Sequence, residues 1–538
     1  MKKLASIEKL ENWIDSYLNF EKTPKKNIFW LDTMKFFCEK FGQPQDFAPC
    51  FHVAGSKGKG SVSMFIASIL DEAGYKTSLY TSPHILDFIE RVSSPSGAFE
   101  EETYNRAVEE IMSGVKAIPI EELPGQRPIT WFELVTLFSF LVFRQAKVDW
   151  SVFEVGLGGR LDSTNIVNPK VSVITPIELE HTEFLGDTLE KIAFEKGGII
   201  KENTPVVIAK QRPEVRKVFE KIAAEKHARA IFVEDAIQNL SFEIKNISNC
   251  IKNNTNITIG SQNFKEDGIK NHTSSQQNQN ISLMSVSFSS KNFKRPIQTD
   301  TLLLGRFQAE NAALAALAVK TALPNISEEV IERGLAKAKL PARFEIIQAP
   351  QSFENIPFLV MDGAHTVNSV RFTIETMNQV FGKTDGRKES ENQFSKKTAG
   401  RSENVKACPV VGTEQQNFKL PSRNHNSEQA IRPTLLFACA ADKDAKDIAP
   451  LFKNQFDSVF LTKPGNVKQS DLETLAKAFS DAEIPYDLNE DFETQIKKAF
   501  DHANASKSIL LVTGSFYLIA EVKKFLQNHS IICQQPDN

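Results

Sequence analysis

The chain has 538 residues and a formal net charge of −3, long enough for two or more domains with full cores. Its 41% hydrophobic and 24% charged content is that of an ordinary soluble protein, with no basic excess to suit nucleic acid or acidic lipid. Six scattered cysteines without a CxxC pair argue against a zinc site or a disulfide framework and fit a reducing compartment.

The first residues, MKKLASIEKLENW, lack the apolar core of a signal peptide. A helical pattern follows at 28–41, and then FHVAGSKGKGSVSMFIASIL at 51–70. Phe51 to Ala54 read as the end of a buried strand, and Val62, Phe65, Ile66, Ile69 and Leu70 recur at helical spacing. Strand, glycine loop and helix form the context of a phosphate cradle, in which backbone N–H groups, a helix dipole and a lysine meet anionic oxygens. The match to the usual pattern is incomplete, because Val53 stands at the first glycine and Gly60 separates Lys59 from Ser61. A solvated turn rich in small residues is the competing reading.

Helical patterns at 102–116, 130–146 and 212–227 alternate with strand-like runs at 148–156, 170–177 and 204–210. The longest apolar stretch, Phe132 to Phe143, is interrupted by Glu133 and too short to span a bilayer. This alternation predicts an α/β fold with a mostly parallel sheet, with ligands gathering at the carboxyl ends of the strands. The segment from about 239 to 297 turns polar, densest in Asn, Ser, Gln and Lys up to 280, and a second polar stretch runs from 382 to 432. Both read as surface insertions. A long helix at 306–322 leads to strands at 357–363, 434–440, 458–463 and 508–514. Two domains are therefore expected, 1–340 and 341–538, the second smaller and Rossmann-like.

Several strand ends carry groups suited to chemistry. Glu154 ends a strand beside the phosphate loop, where a carboxylate can hold Mg²⁺; a solvent-facing Glu is the alternative. Glu180 and His181 fall at the same sheet edge one strand further on. Lys196, in FEKGGIIK, sits in a mainly apolar setting, and Asp362 and His365, in MDGAH, end a strand of the second domain. Asp362 suits a ribose hydroxyl, or simply caps a helix.

Taken together and in order, these stretches resemble the folylpolyglutamate synthase and dihydrofolate synthase family of the Mur ligase superfamily. The resemblance is carried by FHVAGSKGKGS, YTSPHILDFIERV, TWFELVTLFSF, FEVGLGGRLDSTNIV, EHTEFLGDTLEKIAFEKGGIIK, GRFQAENAALAAL, PARFEII, MDGAH, ADKD and LLVTGSFYLIAEV. It implies an ATP-dependent amide ligase adding glutamate to a dihydropteroate or folate through an acyl phosphate, with ATP and Mg²⁺ as cofactors. By that resemblance Gly58, Lys59, Gly60 and Ser61 cradle phosphates, while Asn311, Arg343 and Asp362 contact the nucleotide. Ser82, Glu154 and His181 are implied Mg²⁺ ligands, with Lys59, His181 and Lys196 catalytic and Lys196 a site of carbamylation. Thr130, Phe132 and Asp162 are implied at the pterin, with Pro83, His84, Trp131 and Phe132 as surfaces for a flat ring.

Five positions depart from the family's pattern: Lys57, Glu180, Phe307, Ala342 and Thr366. Two rival readings are a Mur ligase acting on a peptidoglycan precursor and a nucleotide-binding paralogue without catalysis. The YTSPH and FEVGLGGRLD stretches favour the folate branch over the first, and the intact Lys59, Glu154, His181 and Lys196 argue against the second. Small-molecule partners, no nucleic acid, no membrane, a cytoplasmic location and a monomer are expected.

Overall fold

The computed structural model describes residues 4–19, 31–245, 257–258, 279–280, 284–382 and 433–532. Its centre is β1 (Cys50–Ala54), a strand buried at every residue. Around it run β2 (Thr77–Tyr80), β3 (Val92–Ser93), β4 (Trp150–Glu154), β5 (Val171–Ile174), β6 (Val206–Ile208) and β7 (Ala230–Phe232). The spatial order is β3-β2-β4-β1-β5-β6-β7. All pairs are parallel except the edge pair β2–β3. β1 and β4 are in register with Val53 opposite Glu154, so both strands end at the same level.

Successive side chains of a strand point to opposite faces, and the two faces are covered separately. Phe51, Val53 and Val152 pack with the helix Lys59–Glu72. Cys50, Tyr80 and Phe153 pack with the helices Glu101–Lys116 and Trp131–Ala146. Among the described residues no helix is long and apolar enough to cross a membrane.

The predicted polar insertion at 239–297 is too wide. Three strands, β8 (Gln238–Ile244), β11 (Met284–Ser289) and β12 (Ile297–Thr301), form an antiparallel sheet in the order β12-β11-β8; between them lie the short β9 (Ile257–Thr258) and β10 (Gln279–Asn280). Met284, Val286, Phe288 and Ile297 are buried in the core shared with the helix Arg306–Ala322. The alternation of these apolar residues with serines in MSVSFS is the period of a half-buried strand. Most of the stretch at 382–432 lies outside the described residues.

The second sheet comprises β13 (Glu345–Ile347), β14 (Leu359–Asp362), β15 (Thr434–Phe437), β16 (Ser458–Leu461), β17 (Asp487–Leu488) and β18 (Leu510–Thr513), in the order β13-β14-β18-β15-β16-β17. It too is parallel apart from its edge strand β13.

The helix that follows the phosphate loop is clamped by a close crossing with the helix Glu328–Lys337. A Cβ at Gly334 would lie 2.4 Å from the Cα of Ile69, a backbone atom that cannot swing aside. Gly334→Ala is therefore expected to lower stability by about 1–3 kcal/mol, the usual range for overpacking. A urea midpoint equal to that of the unsubstituted protein would contradict it.

Candidate active site

The loop after β1 needs glycine twice. Gly55 has φ of +142°, and a Cβ there would meet Thr175 Oγ1 at 1.8 Å. Gly58 has φ of +86° and caps the helix Lys59–Glu72. A side chain at either position would close the loop's concave face or force the backbone off this path. Thus Gly58, Lys59, Gly60 and Ser61 stand at a helix N-terminus at the carboxyl end of the central strand, where backbone N–H groups and the dipole favour an anion. In this structure Lys59 Nζ turns back to donate to the Gly55 carbonyl at 3.0 Å.

Glu154 is buried at the end of the neighbouring strand, beside Gly60. The Ser82 N–H donates to its Oε2 at 3.3 Å. Burial raises the Glu154 pKa, opposed by Lys59, Arg343 and the Ser82 N–H. The structure thus brings Ser82 and Glu154 together. His181, in a left-handed conformation ahead of the turn Thr182–Leu185, is exposed at the same sheet edge, and no hydrogen bond joins it to the other two. Among the described residues no three His, Cys, Asp or Glu side chains form a metal-binding cluster.

Lys196 is 2% exposed and ion-pairs with Glu180 at 2.8 Å. Its Nζ also donates to the Gly55 carbonyl, at 2.9 Å. Burial pushes the amine down to about 8, with Glu180 opposing the shift and Lys59 adding to it. Burial would raise Glu180, but Lys196 and Lys59 outweigh it and hold the carboxyl at about 2. The substituted Glu180 therefore keeps a carboxylate at the lysine.

The nucleotide candidates come from three elements. Asn311 adjoins Gly58, where a Cβ would lie 2.7 Å from its Oδ1. Gln308, which sequence reasoning left without a role, accepts from Asn311 Nδ2 at 3.0 Å and donates to Ser61 Oγ at 3.1 Å. Arg343 belongs to the linker into β13 and lies 4.5 Å over the Phe516 ring. Burial lowers its pKa, while the carboxylates of Asp362 and Glu154 oppose that. Asp362, at the end of β14, is buried and accepts from the Ala364 N–H at 2.8 Å. Burial raises its carboxyl to about 6, with Arg343 opposing. His365 caps locally, its Nδ1 2.7 Å from the Gly363 carbonyl oxygen.

The departures have local explanations. Phe307 packs on Phe372 with centroids 5.8 Å apart, an apolar contact across the two halves. Thr366 forms a reciprocal cap with Ser369 on the helix Val367–Phe381. Ala342 has φ of +57°, a conformation in which glycine is unstrained. Lys57 is partly buried, its charge disfavoured by burial and supported by Glu180 and Glu178.

The residues implied at the pterin are mostly engaged within the protein. Thr130 caps the helix Trp131–Ala146 and donates to Glu133 at 2.7 Å. Asp162 is buried and accepts from the Leu157 and Thr164 N–H groups at 2.9 and 3.0 Å. Trp131 is a core residue rather than a free stacking surface: it is 4% exposed, with the Arg91 guanidinium 4.9 Å over it. Phe132 remains partly exposed, its ring seated on Gly156, where a Cβ would lie 2.4 Å from its Cζ.

Residues 53–319 match the Mur ligase middle domain. Over 383 residues, 70% of this chain and 77% of the relative, the sequence is 36% identical to the dihydrofolate synthase/folylpolyglutamate synthase of Bacillus subtilis (strain 168). The chain belongs to the folylpolyglutamate synthase/dihydrofolate synthase family. It is an enzyme, an ATP-dependent ligase. Its fold is that of the Mycobacterium tuberculosis folylpolyglutamate synthase complexed with ADP and AMPPCP, at a TM-score of 0.72 and 22% identity over 97% of this chain and 98% of that one. It is also similar to E. coli FolC in complex with DHPP and ADP, at 0.66 and 23% over 98% and 100%.

Lys59 opens the helix after the glycine loop, and its proposed role is to meet charge on a transferred phosphoryl. Lys59→Ala is expected to abolish ligation while circular dichroism and the thermal transition remain as before. Losing a preorganised donor of this kind costs on the order of 3 kcal/mol of barrier. Turnover near the level of the unsubstituted enzyme would remove Lys59 from the machinery.

Proposed function

We propose that this ligase attaches L-glutamate to dihydropteroate and also extends reduced folates, in a domain arrangement of 1–340 and 341–538. The observation that supports it is the meeting of a glycine loop at a helix N-terminus, the buried carboxylate of Glu154 and two cations, Lys59 and Arg343, with the buried amine of Lys196 beside them. A carboxylate oxygen of the pterin substrate attacks the terminal phosphorus of ATP, and ADP leaves. The glutamate amine then attacks the acyl carbon, loses a proton and expels phosphate. The loop N–H groups and Lys59 hold the phosphates in line, and Arg343 approaches from the second half with Asn311 and Asp362 on the nucleoside side.

The donor set fits Mg²⁺ in part. A buried carboxylate with one recorded hydrogen bond, from Ser82 N–H, offers the hard oxygen ligand this ion prefers, and Ser82 Oγ adds another. His181 is a softer donor than Mg²⁺ usually takes. When bound, the ion would neutralise charge on the phosphate oxygens.

Lys196 is the group we assign to carbamylation. A neutral amine is the form that reacts with CO₂, and burial already depresses this one to about 8. The product would be an anion facing Glu180, so a cation is required to keep the two together. Lys196→Ala should lose activity and regain part of it with added formate or acetate. A ¹³C-bicarbonate carbamate resonance should appear in the parent enzyme and vanish in the variant; its absence from the active parent would sink the assignment.

The reaction itself is tested by following ADP release from purified protein with ATP, glutamate, and either dihydropteroate or tetrahydrofolate. Turnover with both is expected. The two acceptors share the ATP machinery and differ only in which carboxylate reacts, so discrimination falls to the loops at 80–95 and 125–133. Extension of tetrahydrofolate with no product from dihydropteroate would leave polyglutamylation alone.

A further inference from the structure

The strand that carries the phosphate loop also holds an imidazole with no part in the chemistry above. His52 is 0% exposed in β1, and its Nε2 lies 2.8 Å from Thr164 Oγ1. That hydroxyl in turn lies 2.5 Å from Asp162 Oδ1. An ionised carboxylate can only accept, so the single hydroxyl proton is directed to Asp162. The hydroxyl must then accept from His52, which fixes the ring as the Nε2–H tautomer. The remaining ring atom, Nδ1, is the one without a hydrogen-bond partner. Burial lowers the imidazole pKa to about 3, which agrees with a neutral ring.

Asp162 closes the loop 156–164 on itself, and that loop touches both sides of the site. Gly156 underlies the Phe132 ring. At the other side, a Cβ at Gly159 would lie 2.9 Å from the carbonyl oxygens of Glu195 and Lys196. The Arg160 N–H donates to the Glu195 carbonyl at 2.7 Å. The loop is thus a spacer between Phe132 and the backbone that carries Lys196.

We propose that His52 and Thr164 are positioning residues for the acceptor substrate, a relay that runs from the phosphate-loop strand through Asp162 to set the loop between Phe132 and Lys196. This rests on the glutamate-ligase reading for its kinetic consequence, not for its geometry. A buried imidazole that merely filled the core would tolerate an apolar replacement of similar size. The relay requires an N–H at one atom.

The geometry is tested on the full chain labelled with ¹⁵N-histidine, with His52 assigned through His52→Gln. The ring should stay neutral with its proton on Nε2 from about pH 6 to pH 9, across the range where an ordinary histidine titrates. An Nδ1–H tautomer, or titration near the ordinary value, would overturn the relay. The consequence is read in steady-state kinetics with tetrahydrofolate, glutamate and ATP. His52→Leu and Thr164→Val should each raise KM for tetrahydrofolate about tenfold, the scale of one lost buried hydrogen bond. KM for ATP should change by no more than about twofold, because the side chain seated on this loop is Phe132 and not Lys59. His52→Gln and Thr164→Ser, which retain the N–H and the hydroxyl, should recover most of the loss. Equal rises in both KM values, or no difference between His52→Leu and His52→Gln, would refute the positioning role. If the unsubstituted protein turns over neither acceptor while the ring keeps the Nε2–H form, the relay stands and the reading of the reaction falls.

Discussion

One carbonyl oxygen organises the site. Gly55 accepts from Lys59 at 3.0 Å and from Lys196 at 2.9 Å, so two ammonium groups converge on a single backbone atom. At Lys196 burial weakens the hold on the proton, and the neighbouring Lys59 charge adds to that. Glu180 is what makes the pair tolerable, since its carboxylate meets Lys196 at 2.8 Å. The arrangement leaves excess positive charge under a loop of backbone N–H groups. Such a site is electrostatically incomplete until an anion arrives, which is the condition a phosphate-binding loop requires.

The incompleteness extends across the two halves. Arg343 is held between Glu154 of the first sheet and Asp362 of the second, and both carboxylates act to keep it charged against its burial. Asn368 of the second half reaches Glu178 of the first at 3.3 Å, and Phe307 packs on Phe372. Apolar side chains of both halves also join one core, in which Leu304 and Leu335 of the first are grouped with Phe344, Val370 and Ile374 of the second. Arg343 brings the charge of the second half under the influence of Glu154, beside the proposed phosphate site.

How much of this was legible depended on whether the signal was local. The strand–loop–helix of the proposed phosphate site was, because a buried apolar run, three glycines and an amphipathic helix fall within one short stretch. Glu154 and Asp362 were legible as strand ends. Edge strands such as β3 and β17 were not, since two residues carry no period. The sheet β12-β11-β8 was hidden by composition: β8 is mostly exposed and its neighbour β11 is serine-rich, although Met284, Val286 and Phe288 alternate as a half-buried strand should.

Thr130, Trp131 and Asp162 show a different limit. The resemblance places Thr130 and Asp162 at the pterin, and Trp131 offers an aromatic surface for the ring, so their residue types suit those roles. Their environment assigns each an internal partner first: Thr130 to Glu133, Trp131 beneath Arg91, Asp162 to the N–H groups of Leu157 and Thr164. A carboxylate has room for about four donors, and Thr164 Oγ1 takes another of those places at Asp162. What such a residue contributes to binding is chiefly the shape of the loop it closes, and shape is a property of the partners. Neither His52 in its strand nor Thr164 in its turn carries a recognisable motif of its own. Only the fold, by bringing positions 52 and 164 within hydrogen-bonding distance, shows that the phosphate strand and the acceptor loop are one mechanical unit.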